Sequence, residues 1–186
     1  MLNIRCFIGL FIPENVKQDI VKIQNIISQL PVVCKMVEYE NLHINLSFLG
    51  EVGEGHVGSI ASKLENICSK YNKFEIEVGG IKFIPNEKYI RVIVLDVLDP
   101  SNKLKALSSK ITQKIGGDSK PPHITLCRVK YVKEKDKFLD SIRKLKSELT
   151  HKFNVNSISL IKSELTKGGP IYTIVKECQL GGGLHE

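Results

Sequence analysis

Two short stretches of the chain carry the residue types that acid–base chemistry needs, at the same spacing. Asn41-Leu42-His43-Ile44-Asn45-Leu46-Ser47-Phe48-Leu49-Gly50 is matched by Pro121-Pro122-His123-Ile124-Thr125-Leu126-Cys127-Arg128. Each sets a histidine two residues ahead of a small polar residue, Asn45 or Thr125, with isoleucine and leucine interleaved. Alternation of period two belongs to a strand with one buried and one open face. On that parity His43, Asn45 and Ser47 share an open face, while Ile44, Leu46 and Phe48 turn toward the helices. In the second motif His123 and Thr125 face out, and Ile124 and Leu126 face in. Imidazole titrates near neutrality, at about 6.5 when unperturbed. One neutral ring can take a proton from water while a charged one gives a proton to a leaving oxygen. The polar side chains two residues along lie roughly 7 Å away on the same face, placed to hold the non-bridging oxygens of a phosphate. A phosphodiester suits such a site, because two in-line oxygens need proton management and a single negative charge needs donors. The scheme calls for no metal and no cofactor. Neither motif is accompanied by a carboxylate or a further histidine at metal-ligand spacing.

The elements that must position these residues repeat in order. Residues 3–11 read as a strand, and Pro13 opens a helix whose stripe is Val16, Ile20, Ile23, Ile27 and Leu30. An extended segment at 33–38 leads to the first histidine strand, 42–49. A second helix carries Val57, Ile60, Ala61, Leu64 and Ile67. A strand from Phe74 to Phe83 follows, with a bulge expected at Gly79-Gly80. The order then restarts: a strand over Tyr89–Val97, and a helix bearing Leu104, Leu107, Ile111 and Ile115 that ends at Gly116-Gly117. The second histidine strand, 123–130, comes next, then a helix with Phe138, Ile142, Leu145 and Leu149. Strands over Phe153–Ile161 and Ile171–Cys178 close the chain, and the tail from Gly181 has no core content and is expected to fray. The expected fold class is α+β and duplicated. Two pseudo-symmetric lobes, about 1–84 and 85–180 and open to strand exchange, form one compact body with two antiparallel sheets facing a central cleft and helices outside.

The bulk properties bound the class of protein. With 186 residues and ordinary apolar content the chain can bury a sizeable core. No run reaches the roughly 18 apolar residues of a membrane span, and the first residues lack a signal-peptide pattern, so the reading is a soluble cytoplasmic protein. The 27 Lys+Arg against 20 Asp+Glu leave a net charge of +7, which favours a polyanionic partner. Lys120, Lys130, Lys162 and Lys167 are candidates for contact with a nucleic-acid backbone, with solvated surface the equal alternative for each. The cysteines (Cys6, Cys34, Cys68, Cys127 and Cys178) are odd in number and widely spaced, so buried free thiols are expected. Cys127 alone shares parity with His123, which would place it on the open face.

At these residues the chain resembles a known family. The motifs are similar to the HxTx signatures of the two-histidine (2H) phosphoesterases, closest to the RNA 2′,3′-cyclic phosphodiesterases, also called 2′-5′ RNA ligases. Supporting matches are Arg5-Cys6-Phe7-Ile8, the Pro122–Arg128 block, and Ser163-Glu164-Leu165-Thr166 with Gly169-Pro170-Ile171-Tyr172. The resemblance implies a bilobal, metal-free enzyme that opens an RNA 2′,3′-cyclic phosphate to a 2′-phosphate, and a partner among RNA ends, tRNA fragments included. It implies His43 as proton donor, His123 as proton acceptor, and Asn45, Thr125 and Arg128 as substrate-binding residues in a monomer. The family pattern expects Thr or Ser where Asn45 stands. Simple parity puts Arg128 opposite His123, so a twist or bulge is required for it to reach the phosphate. Two other readings keep the site. One is a phosphodiesterase for another cyclic or 2′-5′-linked nucleotide. The other is an RNA-end binding module whose catalysis has faded.

Overall fold

A computed structural model describes residues 2–145 and 151–181. The strands are β1 (Asn3–Phe11), β2 (Val32–Met36), β3 (His43–Gly53), β4 (Phe74–Pro85), β5 (Ile90–Leu98), β6 (His123–Val132), β7 (His151–Val155), β8 (Ser157–Thr166) and β9 (Gly169–Gln179). The helices are α1 (Glu14–Ser28), α2 (Val57–Cys68), α3 (Lys103–Lys114) and α4 (Lys135–Leu145). Each helix buries the stripe its sequence sets: Val16, Ile20, Ile23 and Ile27 on α1, Leu64 and Ile67 on α2, Leu104, Leu107 and Ile111 on α3, Phe138 and Ile142 on α4. Leu149, expected to extend the last stripe, lies outside the described residues.

The strands are antiparallel and run in the order β7-β4-β5-β6-β3-β1-β8-β9, with β2 added on β6. The two expected sheets are therefore present, β3-β1-β8-β9 and β7-β4-β5-β6-β2. They join through one residue pair, Ile44 opposite Ile124. Both isoleucines are fully buried, and each such side chain contributes about 1.5–3 kcal/mol. Strands cross between the sequence halves. β4 of the first half pairs with β5, and β8 of the second pairs with β1. The expected strand over 153–161 breaks at Asn156 into β7, at one end of the strand order, and β8, second from the other end. Two strands with one residue between them can lie six places apart in that order only if the sheet curls round on itself. The bulge at Gly79-Gly80 is present as a register shift between Val78 and Ile81. At the C-terminal end Leu180 is buried, its N–H donates to Asn156 O, and Gly181 N–H donates to Tyr71 O at 2.7 Å. The fraying expected from 181 thus does not begin at Gly181, and 182–186 lie outside the described residues.

Candidate active site

The join between the sheets places the four motif residues. With Ile44 opposite Ile124 in an antiparallel pair, His43 falls across from Thr125 and Asn45 across from His123. Cross-strand Cβ atoms of such pairs lie about 4.5–5.5 Å apart and diagonal ones roughly 7–8 Å. The histidines occupy one diagonal of this quadrilateral, and Asn45 and Thr125 the other. All four side chains are partly exposed, whereas Ile44, Leu46, Ile124 and Leu126 are buried beneath them.

Parity holds only this far. Opposite β1, Ile8 pairs with Ser47 and Gly9 with Asn45, so Leu46 is an extra residue in β3. Opposite β5, Ile93 pairs with Cys127 and Val94 with Thr125, so Leu126 is the extra residue in β6. An extra residue reverses the faces that follow it. Ser47 and Cys127 turn into the core, and Phe48 and Arg128 turn out. The expectation that Ser47 shares the face of His43, and that Phe48 points inward, is corrected by the first bulge. The second removes Cys127 from the open face: contact with the Cys34 thiol and burial both push its ionisation upward. That same bulge supplies what Arg128 required. The guanidinium now lies on the side of the histidines, close enough that its charge acts on both His43 and Tyr172.

Each bulge is held by the helix of the other half. Ser108 Oγ on α3 donates to Leu46 O at 2.8 Å. Gln24, buried on α1, donates from Nε2 to Leu126 O and Val37 O, both at 2.9 Å. Ser47 Oγ donates to Gly116 O at 2.8 Å, and Phe48 and Asp118 exchange backbone hydrogen bonds. Close backbone approach explains the glycine at position 9: a Cβ there would stand 2.4 Å from Ile44 O. None of these supports was singled out from the sequence, because each belongs to a segment far along the chain.

The rings are oriented alike. His43 Nδ1 lies 2.7 Å from Asn41 O, and His123 Nδ1 lies 2.8 Å from Pro121 O. A carbonyl only accepts, so Nδ1 carries the proton in both and Nε2 is left free. His43 packs against Phe7 at 4.9 Å and Tyr172 at 5.2 Å between centroids. Burial holds its pKa below the ordinary imidazole value. The hydrogen bond to Asn41 opposes that, and the charges of His123 and Arg128 add to it. Asn41 has a second task, since its Nδ2 donates to Pro170 O at 2.8 Å and so ties down the hairpin that carries Tyr172. Phe7 and Tyr172 lie in segments that the resemblance named but to which it gave no task. Of the candidate lysines, Lys120 pairs with Asp118 at 3.0 Å and Lys162 with Glu164 at 3.1 Å, while Lys130 and Lys167 are exposed. Among the described residues no three His, Cys, Asp or Glu side chains cluster to hold a metal ion. No helix among them is long and apolar enough to cross a membrane.

The sequence model of the LigT-like phosphoesterases matches residues 10–94 and 98–172. The chain belongs to that family. It is 37% identical over 179 residues to the RNA 2′,3′-cyclic phosphodiesterase of Methanocaldococcus jannaschii, covering 93% of this chain and 99% of that protein. It is 33% identical to the protein of the same name from Aquifex aeolicus, covering 98% of this chain and all of that one. Among solved structures, TT0787 of Thermus thermophilus superposes with a TM-score of 0.77 at 23% identity, over 96% of this chain and 98% of that one. E. coli LigT complexed with 3′-AMP gives 0.75 at 20% identity, over 96% and 99%. These structural likenesses establish the LigT fold for the chain.

Proposed function

We propose that this phosphoesterase hydrolyses RNA 2′,3′-cyclic phosphate ends to 2′-phosphates by paired-histidine acid–base catalysis. The observation that carries the reading is the pair of imidazoles, each with Nδ1 fixed to a backbone carbonyl and Nε2 free, on one diagonal of a face shared with Asn45, Thr125 and Arg128. The name carried by the relatives in Methanocaldococcus and Aquifex supports the substrate class. His123 Nε2 accepts a proton from water as its oxygen attacks phosphorus. The P–O3′ bond breaks, and His43 Nε2 delivers a proton to the departing 3′ oxygen. A 2′-phosphate and a 3′-hydroxyl result. Asn45 Nδ2, Thr125 Oγ1 and the Arg128 guanidinium hold the non-bridging oxygens, where charge-assisted hydrogen bonds are strong. A 5′-hydroxyl of a second RNA, such as a tRNA fragment, in place of water would turn the same step into 2′-5′ joining.

Placing His43 as donor has a physical condition. Its pKa is depressed in the free protein, and the anionic phosphate must raise it on binding by neutralising the Arg128 and His123 side of the site. The test is product analysis on an RNA oligomer ending in a 2′,3′-cyclic phosphate, in EDTA. A 2′-phosphate is expected; a 3′-phosphate, or no turnover, would refute the reading. The roles are separated by a substrate with sulfur at the bridging 3′ position, whose thiolate leaves without a proton. It should restore turnover to His43→Ala and not to His123→Ala.

A further inference from the structure

The open face that carries the phosphate site does not end at Arg128. Two further extra residues shape what lies beyond it. On β5, Val92 stands opposite Arg128 and opposite Ile84 of β4, but the next pairing is Ile90 with Pro85, so Arg91 has no partner. On β6, Tyr131 pairs with Val33 and Val129 with Cys34, so Lys130 is extra against β2. Unbroken alternation from Val92 and Arg128 would turn Ile90 and Val132 out and Tyr131 in. The bulges reverse the faces. Ile90 and Val132 pack against the core, while Tyr131 is 51% exposed and Tyr89, just before Ile90, is 56% exposed. Each tyrosine lies two strand rises, roughly 7 Å, past the Arg128–Val92 pair. Arg91 holds the first of them: its guanidinium carbon stands 4.8 Å from the Tyr89 ring centroid, and Nη2 donates to the hydroxyl at 2.6 Å. Lys135 Nζ donates to Lys88 O at 2.8 Å and ties the loop after β6 to the β4–β5 turn. Lys88, Arg91, Lys130 and Lys135 are exposed, and none of them meets a carboxylate among the described residues.

An uncovered face that sets aromatic rings among unpaired cations has the make-up that binds single-stranded nucleic acid. Rings take bases by stacking, whatever their sequence, and cations take the phosphates between them. The place of this face relative to the reaction says which nucleotides it meets. His123 and Asn45 form one row of the quadrilateral, and His43 and Thr125 the other. With water activated at His123, the departing 3′ oxygen and its ribose lie toward the row of His43 and Thr125. Along β6 Arg128 follows Thr125, and Tyr131 follows Arg128. The face beyond Arg128 is thus on the side of the ribose, away from the attacking water, where the chain continues through the 5′ oxygen. On β2, Lys35 stands opposite Arg128 and reaches Gly168 O at 3.0 Å, so the β8–β9 hairpin closes that flank. The flank of Tyr89 and Tyr131 stays open.

We propose that the outer end of this sheet face, Tyr89 and Tyr131 with Arg91 and Lys130, is a docking surface for single-stranded RNA upstream of the reacting nucleotide. The tyrosines stack its bases, and the cations contact its backbone phosphates. The proposal rests on the reading of the site as an RNA-end hydrolase, and its test separates the two. Both tyrosines are more than half exposed, so Tyr89→Ala and Tyr131→Ala remove rings without opening the core. Turnover is compared on a nucleoside 2′,3′-cyclic phosphate and on a short single-stranded oligomer ending in the same group. Each variant should lower kcat/KM on the oligomer at least fivefold, chiefly through KM, and leave the mononucleotide within twofold of the parent. Lys130→Gln should flatten the log–log salt dependence on the oligomer by about 0.7 and leave that on the mononucleotide alone. Equal losses on both substrates, no loss on either, or an unchanged salt slope would overturn the docking surface while leaving the hydrolase reading intact. If the parent turns over neither substrate, the hydrolase reading has failed and the surface is tested by binding alone. For that, the fluorescence anisotropy of a labelled single-stranded oligomer ending in a 3′-phosphate is titrated with parent and variants. At least fivefold weaker binding in both tyrosine variants supports the surface. Equal binding by parent and variants, or none by the parent, refutes it.

Discussion

Gln24 should govern Arg128 although it never touches substrate. Its amide donates two hydrogen bonds of 2.9 Å, to Leu126 O at the β6 bulge and to Val37 O. Gln24→Met keeps the length of the side chain and removes both. Leu126 O would retain the N–H of Val37 at 2.9 Å, so Val37 O is the acceptor left without this donor. A hydrogen bond nets about 0.5–1.5 kcal/mol, and a buried group left unpaired costs about 1–3 kcal/mol. The sum puts the loss of unfolding free energy at about 1.5–4.5 kcal/mol, read by urea denaturation. Activity should fall separately. If the bulge relaxes, Arg128 turns away from the phosphate and the site forfeits a bond to a charged group, about 1.5–3 kcal/mol, or roughly 10–150-fold in kcat/KM. The decisive assay is the double-mutant cycle with Arg128→Ala. In the Arg128→Ala background Gln24→Met should still destabilise the protein but lower kcat/KM little further. Additive losses in kcat/KM would refute the claim that Gln24 acts through Arg128, and an unchanged urea midpoint would refute the hydrogen-bond accounting.

Three further outcomes follow from the same geometry. His43→Ala and His123→Ala should each lose about 10²–10⁴-fold in turnover, and the double mutant little more than the worse single one, because the rings act as a unit; steady-state rates check this, and near-normal turnover in either single mutant contradicts it. His43 should titrate below the ordinary imidazole value in the free protein, staying neutral until the pH falls past that value, and should titrate higher with inorganic phosphate bound, because an anion stabilises imidazolium; the ring-proton NMR shifts of parent and His43→Ala report it, and no upward shift with phosphate would undercut His43 as the donor. Gly117→Ala should cost about 2–4 kcal/mol, since φ is +96° and a Cβ would meet Ser47 Oγ at 2.3 Å and Phe48 O at 2.8 Å; Gly116→Ala, with φ +109° and open space around it, should cost less in the same urea titration.

Local order was legible in the sequence because it is written in neighbouring residues. Apolar spacing of three and four located the four α-helices among the described residues, and the alternation around His43 and His123 located the two strands that meet at Ile44 and Ile124. The matched flanks marked the histidines as a pair. What the alternation could not carry was its own interruption. The bulges at Leu46 and Leu126 exist because Gly9, Ser108 and Gln24 stand against them, and those residues are distant in the chain. Period-two reasoning therefore placed Asn45 and Thr125 correctly and reversed Ser47, Phe48, Cys127 and Arg128. The reciprocal placement of β4 and β8 in opposite sheets had the same origin: a strand's pattern says which face is buried and not which strand lies beside it. Tertiary structure alone decided that Tyr172 stands edge-on to His43, tied there through Asn41 and Pro170. The residues that fill a space are chosen by how the chain packs in three dimensions, and no local period encodes that choice.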